Sequence, residues 1–466
     1  MTTQWRAEAL KYEDALLTDL KEMLAIKSVR DDEAATEDAP LGPGPKEALL
    51  KFEEFAKRDG FRVGNYKNLV AYAELGPEDA DETVAIIGHL DVMPAGDGWT
   101  KNPWSPVIED GRLYARGASD DKGPSFTAYY AMKMIKDLNL DLKRKLVLVM
   151  GIDEESDWTG MDDFFEEYGM PTMGFSPDAE FPIINGEKGN VSIVTRFAGT
   201  QGGSLKLVSF SAGSRPNMVP GTAVAVVEAA DTAALVSAMD AYLAAEKRVK
   251  GEAKVDGNQV TFTFYGKQVH GAMPETGENA GTYLANFLQD QDFGGNAKGF
   301  LTFLGTQLHD DTVAEKIGAK THDDLMHDLS MNVGIQRFTD GEDGFVNANF
   351  RYPQNTTAEE IEGHVASSLP AGFDATAKQE GHAQVPHYVP GDDPLVKTLL
   401  QVYREQTGLP AGEQVIGGGT FGRLLKRGVA FGAMFEGVPD TMHQAEEFYP
   451  VAELTRAMAI FGQSRY

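Results

Sequence analysis

Leu146-Val-Leu-Val-Met-Gly-Ile-Asp-Glu-Glu155 is the stretch of sequence that decides the fold. A short apolar run followed at once by three acids is typical of a buried strand in an α/β sheet that ends in a polar loop. Three adjacent carboxylates repel one another unless cations lie among them. The stretch therefore predicts a metal site at the strand end or, as the alternative in so acidic a chain, a solvated acidic loop.

Other apolar runs also end just before residues that bind metals in proteins. Residues 84–88 precede His89 and Asp91, residues 173–175 precede Asp178, and residues 429–435 precede His443. Ligands of open α/β sheets gather outside the carboxyl ends of the strands, so these side chains are predicted to converge. In a His-x-Asp pair the carboxylate can orient an imidazole that binds a metal. Taken alone, however, the pair favours a hydrogen-bonded histidine in a loop.

The glycine-flanked loop Arg-Gly-Ala-Ser-Asp-Asp-Lys-Gly-Pro, residues 116–124, leads into a predicted helix. Such loops can cradle phosphate at a helix N-terminus. This loop lacks the Gly-x-x-x-x-Gly-Lys-Ser/Thr spacing and is acidic, so we exclude phosphate binding.

Composition excludes several classes of function. The 466 residues carry a formal net charge of −29, which repels nucleic acid and anionic membranes. The chain has no cysteine, so any metal would be held by nitrogen and oxygen ligands. We find neither a signal peptide at the start nor an apolar segment long enough to span a membrane, and we expect a cytoplasmic protein.

The pattern along the chain predicts two domains of different texture. Apolar residues recur at helical spacing in residues 5–24, 45–58, 394–405 and 451–463, with short apolar strands among them. Between these regions lie alternating strands with hairpin turns, such as residues 260–264 and 346–351. We predict an α/β domain of residues 1–188 and 383–466 with a mixed, mainly parallel central sheet, interrupted by an inserted α+β domain of residues 189–382.

Taken in order, these motifs resemble those of the two-zinc aminoacylase, carboxypeptidase and dipeptidase superfamily. The matching segments are His89-Leu-Asp91, the loop around Asp120, Asp153-Glu-Glu155, Asp178, Gly266-Lys-Gln-Val-His270, Gly417-Gly-Gly-Thr420 and His443. They span nearly the whole chain. The length, the large insert and the Asp-Thr-Met-His-Gln-Ala-Glu-Glu segment, residues 440–447, are most similar to bacterial PepV-type dipeptidases.

The resemblance implies two zinc ions per chain, for which manganese or cobalt would be substitutes. His89 and Asp178 would hold one ion, Glu155 and His443 the other, and Asp120 would bridge both. Glu154 would be the general base, acting on a water held between the metals, and Asp91 would orient His89. The resemblance also implies a cis peptide bond after Asp120.

Four further residues are implied to meet the substrate. His270, in the insert, would stabilise the oxyanion, and Arg351 would bind the substrate carboxylate. The alternative for Arg351 is a solvated face of an edge strand. Asn217 resembles a substrate contact but also suits a turn between prolines. Thr420 would present backbone donors, although Phe421-Gly422 departs from the Asp-Ala of many relatives.

The remaining histidines are predicted to lie at the surface: His309, His322, His327, His364, His382 and His387. The expected enzyme is a monomeric dipeptidase whose inserted domain acts as a lid and whose substrate is a small peptide with a free amino terminus. The alternatives are an N-acyl amino acid deacylase of the same superfamily and, from a different class, a two-lobed peptide-binding protein.

Overall fold

The computed structural model describes residues 4–381 and 383–464. The chain divides into two compact units. The first comprises Met1–Gly186, Tyr388–Val415 and Gly419–Tyr466, and the second Glu187–His387 with Ile416–Gly418. In the described part of the chain, no helix has the length and apolar character needed to cross a membrane.

The first unit is built on a six-stranded mixed sheet. Its strands are, in spatial order, Arg62–Tyr66, Val70–Leu75, Lys145–Gly151, Thr83–His89, Met173–Ser176 and Gly428–Ala430. The first two are antiparallel to their neighbours, whereas the last four run parallel to one another. The predicted α/β class with a mixed, mainly parallel sheet is confirmed.

Helices cover this sheet with apolar faces. They are Trp5–Ala9, Glu13–Leu24, Pro43–Arg58, Lys122–Asp137, Met161–Tyr168, Pro394–Thr407 and Val451–Gln463, with 3-10 turns at Leu10–Tyr12 and Phe421–Leu424. Proline in the first turn of Pro43–Arg58 and of Pro394–Thr407 suits a helix start, where its missing N–H costs no hydrogen bond. The buried strands and the inward helix faces form one continuous apolar core.

Short ladders extend the first unit. Phe448–Pro450 pairs with Arg112–Tyr114, which pairs with Val107–Glu109, and Ala433–Met434 pairs with Ala179–Glu180. The single strand predicted over residues 429–435 is therefore two short strands. The chain bends between them at Gly432, which has a φ of 75° and lies against Phe181, so that any Cβ would lie 2.3 Å from the ring.

The second unit contains an eight-stranded antiparallel sheet. Its order is Lys250–Asp256, Gln259–Tyr265, Thr222–Glu228, Lys206–Ala212, Ser330–Thr339, Gly344–Tyr352, Gly189–Ala198 and Asp374–Gln379. Its helices are Thr232–Ala245, Ala280–Gln289, Gly295–Thr302 with the π-helix Phe303–Leu308, Ala358–Ser367 and the 3-10 turn Pro274–Thr276. This unit has an apolar core of its own.

The remaining strands of the chain are short. Gln201–Gly203 pairs with Phe293–Gly294, and His322–Asp323 pairs with His327–Asp328, both in the second unit. Gly186–Glu187, His387–Tyr388 and Val415–Ile416 are strands at the points where the chain passes from one unit to the other.

The surface position predicted for His309 is wrong. Its ring packs edge-on against Tyr283 at 4.6 Å, Nδ1 lies 3.3 Å from Thr282 Oγ1, and the residue is only 8% exposed. The prediction rested on the polar sequence around His309, whereas the residue is buried by contacts with a segment distant in the sequence. His322, His327 and His364 are exposed as predicted, His387 is half-buried, and His382 lies outside the described residues.

We expect His309 to make the second unit sensitive to acid. Burial lowers its pKa to about 4, so the unfolded chain binds a proton that the folded unit rejects. Stability present above pH 6.5 is therefore lost as the pH falls towards 4, by roughly 2–3 kcal/mol at pH 4.5. Urea unfolding of the wild type and His309→Phe at pH 7 and 4.5 should show the larger loss in the wild type. Equal losses would contradict this expectation.

Candidate metal centre

Three parallel strands deliver polar side chains to one edge of the first unit's sheet. Thr83–His89 ends at His89, Lys145–Gly151 leads into Glu154 and Glu155, and Met173–Ser176 leads to Asp178. His89 pairs in register with Gly151 on the neighbouring strand. Because these strands run in the same direction, their carboxyl ends meet at one place.

His89 lies at the centre of this edge and is fully buried. Its Nδ1 lies 3.0 Å from the main-chain oxygen of Asp91 and 3.3 Å from Asp91 Oδ1. Two acceptors at Nδ1 favour the tautomer with the proton there, which leaves the Nε2 lone pair facing the cluster. Nε2 lies 3.1 Å from Asp120 Oδ1 and 3.6 Å from Asp178 Oδ2.

Asp120 faces both predicted histidine ligands with different oxygens. Oδ1 is the atom near His89, whereas Oδ2 lies 2.8 Å from His443 Nε2. His443 Nε2 is also 2.9 Å from Glu155 Oε1. The peptide bond between Asp120 and Asp121 is cis, as the resemblance implies.

The donor atoms form two adjacent clusters. In each, the nitrogen and oxygen atoms lie within 4.8 Å of one another; the members are His89, Glu154 and Asp178 in the first cluster, and Asp120, Glu155 and His443 in the second. The structure thus brings together all five predicted ligands. It also places Glu154, predicted to be the base, among the atoms of the first cluster.

The electrostatics of the clusters favour a cation. Burial and repulsion from neighbouring acids raise the pKa values of Glu154 and Asp178, and raise that of Glu155 to about 7. Burial alone would lower the pKa of His443, but Asp120 and Glu155 raise it to about 11. The carboxylates therefore favour positive charge among them, which protons or metal ions can supply. Imidazole and carboxylate are ligands that zinc prefers.

Asp91 contacts its predicted partner His89 and also supports a second part of the site. Its carboxylate is buried and accepts hydrogen bonds from the backbone N–H groups of Glu154 and Glu155, both at 3.2 Å. One aspartate thus fixes the imidazole of one cluster and the turn that carries both glutamates.

Two residues near the clusters were not predicted as site residues. Glu447 and Arg116 form a fully buried ion pair of 2.6 Å beside Asp120. Their signal in the sequence is weak, because Glu447 is one acid in an acidic segment and Arg116 opens a glycine-flanked loop whose pattern says nothing of a distant carboxylate partner.

The departure at residue 421 has a structural explanation. The Phe421 ring lies edge-on to His89 at 6.4 Å between centroids and to Trp158 at 5.1 Å. It also covers Gly151, where an added Cβ would lie 2.8 Å from the ring. Phe421 therefore packs against a predicted ligand and has no polar role. The Thr420 hydroxyl beside it accepts a hydrogen bond from the Gly422 N–H at 3.1 Å.

The other predicted substrate residues belong to the second unit. His270 and Asn217 lie on neighbouring segments, where the Gly271 N–H donates to Asn217 O at 2.7 Å and Met218 bridges to His270. Arg351 is buried on Gly344–Tyr352, an internal strand of the eight-stranded sheet, so the alternative of a solvated edge strand is wrong. The roles of these three residues stay predictions.

Comparison with known proteins identifies the family. The sequence signature of Peptidase family M20/M25/M40 matches residues 85–464. A Staphylococcus aureus protein named "Putative dipeptidase SAB1611c" is 40% identical over 467 residues, covering 99% of this chain and 98% of that protein. "Putative dipeptidase SH1171" of Staphylococcus haemolyticus is 40% identical over 472 residues, with the same coverage. The chain belongs to Peptidase family M20/M25/M40, and it is accordingly a hydrolase, a metallopeptidase.

Solved structures share the fold at low sequence identity. Human carnosine dipeptidase 1 has a TM-score of 0.59 at 17% identity, over 99% of this chain and 98% of that chain. The dipeptidase Dug1p of Saccharomyces cerevisiae has a TM-score of 0.60 at 15% identity, with the same coverage. At these identities the likeness establishes the common fold.

We predict that Asp91→Asn destabilises the first unit. An amide offers one acceptor oxygen, so one of the two buried N–H groups of Glu154 and Glu155 would face another donor. The expected loss in free energy of unfolding is about 1–3 kcal/mol. Asp97→Asn, an exposed aspartate in the loop that follows, is the control and should unfold like the wild type. Urea unfolding that does not distinguish the two variants would contradict the role given to Asp91.

Proposed function

We propose that this chain is a zinc-dependent dipeptidase that holds one cation in each cluster and uses Glu154 as its general base. The observation that carries the proposal is the placement of Asp120. One of its oxygens lies beside His89 and the other beside His443, so a single carboxylate would serve both cations. A solvated acidic loop, the alternative reading of the acids at residues 153–155, would have no need of two imidazoles at such distances.

The donor set fits two divalent ions. His89 and Asp178 would hold the first, Glu155 and His443 the second, and Asp120 would be shared. Nitrogen and oxygen donors of this kind suit zinc and also accept manganese or cobalt. When bound, two such ions would polarise the scissile carbonyl and acidify the attacking water.

Glu154 is well placed to move a proton. Its N–H donates to Asp91 and its main-chain oxygen accepts from Trp158 Nε1 at 2.8 Å, so its backbone is held from both sides. Burial raises the pKa of its carboxyl group well above the ordinary value, which makes the carboxylate a better proton acceptor. We infer that Glu154 accepts the proton of the attacking water at a carboxylate oxygen and then delivers it to the leaving amine.

Dipeptides are the proposed substrates. Support comes from the two staphylococcal relatives whose names carry the words "Putative dipeptidase", which match this chain at 40% identity over nearly its whole length. The PepV-type resemblance adds a free amino terminus and a monomeric enzyme to the proposal. It also assigns the oxyanion contact to His270 and substrate contacts to Arg351, Asn217 and Thr420, for which the guanidinium of Arg351 suits a carboxylate.

The test is turnover of Ala-His and Leu-Leu by the zinc-loaded protein, beside the N-acetylated forms of both. We expect hydrolysis of the free dipeptides. Glu154→Gln should retain both metals yet lose about 10²–10⁴-fold in turnover, because an amide cannot accept the water proton. Glu166→Gln, an exposed glutamate on the helix Met161–Tyr168, is the matched control and should keep wild-type turnover.

Two results would contradict this proposal in different ways. Hydrolysis of only the N-acetylated compounds would favour a deacylase with the same site. Near-normal turnover by Glu154→Gln would remove Glu154 from the role of base while leaving the substrate class intact.

Metal content should separate the shared ligand from a single ligand. We expect Asp120→Ala to lose affinity for both ions, because each ion would lose an oxygen ligand. Asp178→Ala should instead lower the affinity for one ion and leave the affinity for the other unchanged. Dialysis against dilute zinc followed by elemental analysis measures the stoichiometry, with circular dichroism as the check on folding. Two tightly held ions in Asp120→Ala would rule out the shared carboxylate.

A further inference from the structure

Glu447 has a carboxylate with an unusually full set of donors. The residue is fully buried and lies four positions after His443. Oε1 accepts from Ser119 N at 2.8 Å, Ser119 Oγ at 3.0 Å and Asp120 N at 3.1 Å. Oε2 accepts from Arg116 Nη1 at 2.6 Å and Gly117 N at 3.0 Å. One side chain thus binds the backbone of the loop that ends in Asp120.

The backbone around Glu447 is joined to the same loop. Phe448–Pro450 pairs antiparallel with Arg112–Tyr114, and Ala115 N donates to Glu447 O at 3.2 Å. The ladder brings the two chain segments together, and the Glu447 side chain continues the contact from the end of the ladder to Asp120. The segment that carries His443 is therefore fastened to the segment that carries Asp120.

Arg116 connects the segments that carry Asp120 and Glu447 to a third segment. It is also buried, and its Nη2 donates to Pro94 O at 3.3 Å and Ala95 O at 3.2 Å. Those carbonyls belong to the chain just after Asp91. Arg116 also gives the buried Glu447 carboxylate a partner of opposite charge at 2.6 Å.

We propose that Glu447 is a positioning residue that sets the orientation of the Asp120 carboxylate between the two clusters, and thereby the affinity for cations. The proposal rests on the proposed function, in which each cluster holds a cation. Its physical basis is that Asp120 must direct one oxygen to each imidazole, so the position of its backbone decides whether both contacts form. Groups that hold metal ligands in this way commonly contribute 10–100-fold to metal affinity.

Glu447→Gln is the direct test, because neither orientation of an amide offers acceptors to all five donors. The metal-free variant is checked for folding by thermal unfolding, and Zn²⁺ is then titrated against a chromophoric chelator well below the unfolding midpoint. We expect affinity for zinc to fall about 10–100-fold. Because Asp120 would serve both ions, both binding steps should weaken.

The control is an ion pair of the same unit. Asp393 binds Arg427 at 2.7 and 2.9 Å and caps the helix Pro394–Thr407 through Leu395 N. Asp393→Asn breaks this pair while keeping an oxygen for the cap, so it should lower the unfolding midpoint and leave zinc affinity unchanged. A merely structural role for Glu447 would give the same result as this control, and that result would overturn the proposal.

A milder variant covers the case in which Glu447→Gln does not fold. Ser119→Ala removes only the hydroxyl donor to Oε1, and it should weaken zinc binding about 2- to 10-fold, the contribution of one hydrogen bond. Wild-type affinity in a folded Ser119→Ala would then overturn the proposal. Zinc affinity is measured without peptide, so a wild type that binds zinc but cleaves no dipeptide contradicts only the proposed function. A wild type without zinc affinity contradicts both.

Discussion

The burial of like charge is the constraint on which the rest of this site depends. Asp120, Glu154, Glu155 and Asp178 bring four carboxylates to one sheet edge, where each loses hydration and repels the others. The acids behind them are treated differently. Asp91 accepts two backbone N–H groups, Asp153 accepts Arg30 and the Thr159 N–H, and Glu447 accepts five donors. The supporting acids thus find their hydrogen-bond donors within the protein, while the clustered acids face imidazoles and one another.

The difference between the supporting acids and the clustered acids explains why the site is both rigid and charged. Donors from the backbone are fixed by the sheet and its loops, so the acids they hold cannot reorient without breaking several hydrogen bonds. The clustered carboxylates extend from this fixed base, and their mutual repulsion favours positive charge among them. The apolar ring of Phe421 packs edge-on against the His89 ring. Geometry at the strand ends is therefore set by residues that would not touch a metal.

Sequence was a good guide to what local pattern determines. Apolar runs followed by acids or histidine predicted the strand ends, and the helix Val451–Gln463 was predicted closely because its apolar periodicity is a local feature of the sequence. Contacts between distant segments were missed. Glu447 meets Asp120 across 327 residues, and its role follows from donors that are not adjacent to it in sequence. The surface position predicted for His309 was wrong because its aromatic partner, Tyr283, is distant from it in the sequence. Gly432 divided a predicted strand because Phe181 occupies the space of a side chain.

The separation of the ligands along the chain also sets the order in which the site can form during synthesis. The strand ends that carry His89, Glu155 and Asp178 leave the ribosome early, but His443 follows Glu155 by 288 residues. At 5–20 residues per second, that interval is roughly 15–60 s. During this interval, the nascent chain contains acids of both clusters but lacks the segment that carries His443 and Glu447. The second unit is translated within the same interval, so it emerges complete before the first unit can close its sheet with Gly428–Ala430.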